Sequence, residues 1–205
     1  MSKVFIKGLA TGLILQLAIG PVFIFVANTI FQRGVIEGIL AVIAVTIVDY
    51  IYIVLAIFGV GKVFEKEKIR RVFVIISSIV LIILGIIMMK NGIKLKSDSL
   101  ILENTKISSF TQAFLLTLSS PLTIVFWTSI FASKADEYML NKKELIVFGL
   151  ACGLATLLFL GACVILLSWL KIIVSDGIIQ SLNFIVGISL IFYGIVRLKK
   201  IKEIA

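Results

Sequence analysis

The sequence predicts an all-α integral membrane protein, with about six transmembrane helices arranged as two inverted three-helix repeats. Three observations predict it. The chain is 60% hydrophobic and only 15% charged. Its charged residues leave six long apolar runs almost clear. The two halves of the chain also carry the same marks at the same spacing.

A soluble domain carries about 25% charged and about 45–50% apolar residues. A water-soluble fold of 205 residues would leave too much of this apolar surface exposed, whereas a bilayer matches it. The net charge of +9 sits in the gaps between apolar runs rather than on one stripe, so the expected partner is the lipid bilayer and not nucleic acid. Histidine is absent, which removes the commonest metal ligand and the usual general base. No enzyme activity, cofactor or resident metal is expected. Cys152 and Cys163 share one apolar run. Their separation of about 16 Å along a helix is too great for a disulfide, so both read as small buried hydrophobes.

The charge-free runs are Gly8–Gln32, Gly38–Gly61 (interrupted by Asp49), Val72–Met89, Ile107–Ser133, Leu145–Leu170 and Gly177–Val196. A spanning helix needs about 20 mostly apolar residues, and nothing here alternates as a barrel strand would. Lys3 and Lys7 precede a first run longer than the core of a cleavable signal, so that run is read as a retained helix. With the N-terminus inside, fourteen of the twenty Lys and Arg fall on the cytoplasmic side. That bias places both termini in the cytoplasm of a multi-pass cell-membrane protein.

The stretch Leu13–Phe31, LILQLAIGPVFIFVANTIF, resembles Leu115–Phe131, LLTLSSPLTIVFWTSIF. The only two prolines, Pro21 and Pro121, coincide at an offset of 100, and Gly85 and Gly92 match Gly187 and Gly194 at an offset of 102. The expectation is one transporter domain, 1–205, holding repeats at about 4–96 and 107–200 with a linker at about 97–106. Three helices per copy is an odd number, so the second copy is expected upside down. Inverted repeats are a transporter architecture with the site near the midplane where the copies meet.

Pro21 and Pro121 fall near the centres of their runs. Proline there breaks the helix, frees backbone groups and opens a half-helix N-terminus suited to a carboxylate. Polar residues gather around both prolines, and Gly20 permits close approach. The expected solute-binding residues are Gln16, Gly20, Pro21, Asn28, Ser120 and Pro121. Asp49 is the one acid deep in a span, where a charge costs at least ~2.5–3.5 kcal/mol. Gly34, Gly38, Ala41, Val45 and Asp49 recur at three- and four-residue steps, which turns Asp49 into the bundle. Asp49 is therefore expected to carry a coupling proton or hold a cationic group of the solute. Gly8/Gly12, Gly34/Gly38 and Gly149/Gly153 are read as packing contacts, and Trp127 reads equally as packing or solute contact.

These motifs resemble the LysE/RhtB family of amino-acid exporters over essentially the whole chain. The likeness rests on Gly12 through Ile19-Gly20-Pro21 to Gln32-Arg33-Gly34, on Gly38 to Val48-Asp49, and on Phe110 to Ser120-Pro121. The family pattern has proline, glycine and asparagine where this chain has Ile19, Val48 and Ser120. The resemblance implies a secondary exporter of amino acids or related small metabolites, driven by the proton gradient. The alternative is a metal-cation exporter of related architecture, although only one acid sits at midplane depth. A thiol-redox enzyme is disfavoured because both cysteines lie in the fifth run. The identity of the solute and self-association into a homo-oligomer are left open.

Overall fold

The computed structural model of the chain describes residues 1–17, 20–59, 67–94, 108–170 and 176–202. The linker expected at 97–106, the loop lysines Lys62 and Lys66, Ile19 and the Pro121 side chain lie outside the described residues. Among the described residues the chain is helical throughout: α1 Ser2–Gln16, α2 Pro21–Arg33, α3 Val35–Ile57, α4 Glu67–Lys94, α5 Ser109–Leu118, α6 Pro121–Glu137, α7 Lys142–Leu170 and α8 Asp176–Lys202. The six runs thus become eight helices, because each proline starts a helix of its own. Pro21 and Pro121 both occupy the first turn, where a missing N–H costs nothing. α1 and α2 meet at 77°.

Among the described residues three helices are long and apolar enough to cross a membrane (Val35–Ile57, within Lys142–Leu170, and Gln180–Lys199), and the bent α1–α2 pair counts as a fourth if it is one span. Between α2 and α3 the chain turns at Gly34, whose φ of 91° favours glycine. Gly34 is thus a turn residue and not the packing contact expected of it. Start signals are local: the Ser108 side chain accepts from the Thr111 amide at 3.2 Å. Asn141 and Glu144 exchange 3.0 Å bonds as a capping box at the start of α7.

Glycines set the helix contacts. α1 packs on α7, where Gly8 and Gly12 lie against Phe148, Ala151, Cys152 and Ala155. α3 packs on both α7 and α5. Its outer stripe of Ile36, Ile39, Ile43, Ile47 and Ile51 is exposed, while Gly38, Ala41, Val45 and Asp49 are buried. α4 packs on α8 through Gly85 and Gly187, residues related by the repeat offset that face each other directly. A methyl on Gly85 would lie 2.6 Å from the Gly187 carbonyl oxygen. Gly85→Ala is expected to destabilise the protein by about 1–3 kcal/mol, read as a lowered Tm in detergent. Gly161 has no atom within 4 Å of such a methyl. Gly161→Ala should therefore leave Tm unchanged or raised.

The two cysteines are free, and the Cys152 thiol donates to the Gly8 carbonyl at 3.2 Å. Where α6 ends, Lys134 pairs with Glu137 at 2.5 Å, and Lys7 sits 3.8 Å over the Tyr138 ring. The hydrogen bond between them holds the Lys134 ammonium above its ordinary pKa and the Glu137 carboxyl below its own.

Candidate solute site

Two interrupted runs and one acid converge on a single cavity of about 490 Å³. Its size falls in the range of small-molecule pockets, about 300–1,000 Å³. α1 contributes Leu15 and Gln16, the first break contributes Gly20, and α2 contributes Pro21, Val22 and Phe23. From the second half come Thr117, Ser120, Thr123, Phe126, Trp127 and Leu160. α3 places Val45 and Asp49 in the wall. Both breaks therefore open on the same space. Gly20 and Ser120 are the residues before α2 and α6, and no side chain caps either helix start. Each start has a proline without an N–H, and the Thr123 amide bonds the Ser120 carbonyl at 3.0 Å, so the remaining first-turn amides carry the partial positive charge of each start.

Asp49 is 6% exposed and is the one charged residue lining the cavity among the described residues. Its Oδ2 accepts from the Thr156 hydroxyl of α7 at 2.7 Å. Gln16 Nε2 in turn donates to the Thr156 hydroxyl oxygen at 2.6 Å. The Trp127 side chain lines the same cavity wall. One acid is thus tied to α7 and, through Thr156, to α1. Neither neighbouring tyrosine bonds Asp49: Tyr50 donates to the Leu150 carbonyl at 3.1 Å and Tyr52 to the Leu118 carbonyl at 2.7 Å.

Of the expected site residues, Gln16, Gly20, Pro21, Asp49 and Ser120 line the cavity. Asn28 is placed elsewhere. It is buried, and its Nδ2 donates to Asn183 Oδ1 of α8 at 2.8 Å, an oxygen that also accepts from Gln32. Pro121 opens α6, with its side chain outside the described residues. Sequence reasoning missed Thr156, one threonine among many, whose role depends on an acid 107 positions away. Nor does the sequence show that Arg197, just past the last charge-free run, turns inward. The structure buries Arg197 at 8% exposure in α8, where Nη1 donates to the Ser119 carbonyl at 3.3 Å.

The model of the LysE type translocator family matches residues 13–200, nearly the whole chain. The chain belongs to the LysE type translocator family. It is similar, at 23% identity over 199 residues, to the "Putative amino acid efflux protein YcgF" of Bacillus subtilis (strain 168). The match covers 94% of this chain and 93% of that relative. No solved structure matches the chain. In this LysE type translocator the stretch matched by the family spans both breaks, Asp49 and Thr156. The family is one of translocators rather than enzymes, and with the apolar helices it makes the chain a membrane transport protein. Two of the three departures from the family pattern differ in placement: Val48 is fully buried in the core, while Ser120 lines the cavity.

Proposed function

We propose that this translocator exports an amino acid or a related small metabolite, driven by the proton gradient, with the solute held in the cavity between the two helix breaks. One observation carries the reading: both interrupted helices and the buried acid Asp49 share one solute-sized space. Asp49 takes up the coupling proton or holds the solute's cationic group, and the uncapped helix starts suit its carboxylate. Gln16, Gly20, Pro21 and Ser120 line the solute's place, with Pro121 setting the second break.

Inverted repeats fit this reading and have support in the helix pairing. Exchanging the halves turns the α1–α7 contact into the α5–α3 contact, and both contacts are present. Gly85 and Gly187, equivalent across the halves, meet each other.

The test is efflux from cells loaded with amino acids through dipeptides. One or more amino acids should leave faster than from control cells, and a protonophore should abolish the difference. Equal efflux of every amino acid would sink the reading.

A further inference from the structure

Arg197 is a cation inside the bundle with no acid paired to it among the described residues. A buried guanidinium is costly unless its charge is met. What meets it is a helix end. Its Nη1 donates to the carbonyl of Ser119, which caps the C-terminus of α5, and its Cζ lies 5.4 Å from the centre of the Tyr193 ring. The last carbonyls of a helix have no donor within it and carry the negative end of its dipole. The neighbouring Leu118 carbonyl accepts from Tyr52, a residue of α3, at 2.7 Å. Tyr52 lies one turn along α3 from Asp49.

Two groups from two different helices therefore grip the same helix end. The next residue, Ser120, lines the cavity and opens α6. α8 also holds the other broken run, through Asn183 bonded to Asn28 and Gln32 of α2.

We propose that Arg197 is a positioning residue for translocation: with Tyr52 it fixes the end of α5, so that the second break presents Ser120 and the start of α6 to the solute. This rests on the cavity being the solute site. A residue needed only for packing there would be as well served by an apolar chain of similar length. The cation and its donor are what the helix end requires. Because Tyr52 and Asp49 share α3, a shift of that helix when Asp49 changes partner acts directly on the same break.

The experiment is radiolabelled counterflow in vesicles containing the full chain, with the amino acid found in the efflux screen. Arg197→Met is expected to raise the half-saturation concentration about tenfold, with maximal rate within about twofold of wild type. Tyr52→Phe removes only a hydroxyl, lowers Tm but still folds, and is expected to raise half-saturation about threefold or more. Arg197→Lys keeps the charge and recovers part of the affinity. The double variant should cost less than the two single effects combined, since both act on one helix end. If Arg197→Met does not fold, Tyr52→Phe decides. Wild-type half-saturation in Tyr52→Phe overturns the proposal, and so does a wild-type value in a folded Arg197→Met. A wild-type protein silent toward every amino acid overturns the transport reading itself, and the role of Arg197 falls with it.

Discussion

Asp49→Asn is expected to reduce proton-driven efflux by about tenfold or more, a loss of ~1.4 kcal/mol or greater at the transport step, while the protein still inserts and folds. The substitution keeps the shape of the side chain and removes the one ionisable group lining the cavity among the described residues. Thr156 can donate to an amide oxygen as it does to the carboxyl, so the local packing has little reason to change. The measurement is efflux at an imposed pH gradient beside counterflow without one. If Asp49 carries the coupling proton, counterflow survives while the gradient no longer accelerates efflux. If it holds the solute's cationic group, both fall together. Efflux by Asp49→Asn with undiminished gradient dependence would remove Asp49 from the mechanism.

Thr156→Val should be nearly as damaging although the residue carries no charge. Its hydroxyl is the bridge between Gln16 and Asp49, and it is fully buried. Valine fills the space and supplies neither donor nor acceptor. Asp49 would lose its donor at 2.7 Å, and the Gln16 amide would lose its acceptor. Leaving a buried polar group unsatisfied costs about 1–3 kcal/mol, and more for a charged one. Solute affinity in counterflow is therefore expected to drop by about tenfold, with Thr156→Ser restoring most of it. Equal affinities for threonine, serine and valine at this position would mean that the bridge plays no part in binding.

The two prolines were informative in the linear sequence because a backbone without an N–H has few places in a spanning helix. Their equal spacing drew attention to Gln16, Gly20 and Ser120, which do line the cavity. Asp49 announced itself by depth, as the one acid inside a run, and the small residues at helical spacing told its face. Asn28 shows the limit of that reasoning. It is polar and near a break, yet it faces α8, because a helix of 13 residues points its side chains all around and only packing selects the partner. Arg197 cannot be placed from sequence for a related reason. A long cationic side chain near the end of a span can reach outward to the interface or inward to a helix end, and position alone does not choose between them. Gly34 fitted a small-residue stripe on paper, but its positive φ makes it the turn between α2 and α3.

Composition, the rhythm of charge-free runs and the paired prolines determined on their own that this chain lives in a bilayer, that its helices are broken twice, and that an acid lies within. Those features follow from local chemistry, since lipid forces helices and proline interrupts them. Only the tertiary structure decided that both breaks open on one cavity, that Thr156 bridges Gln16 to Asp49, and that Arg197 closes the end of α5. Each of these joins residues dozens of positions or more apart, and hydrogen bonds across helices depend on rotation and register, which hydropathy along the chain does not encode.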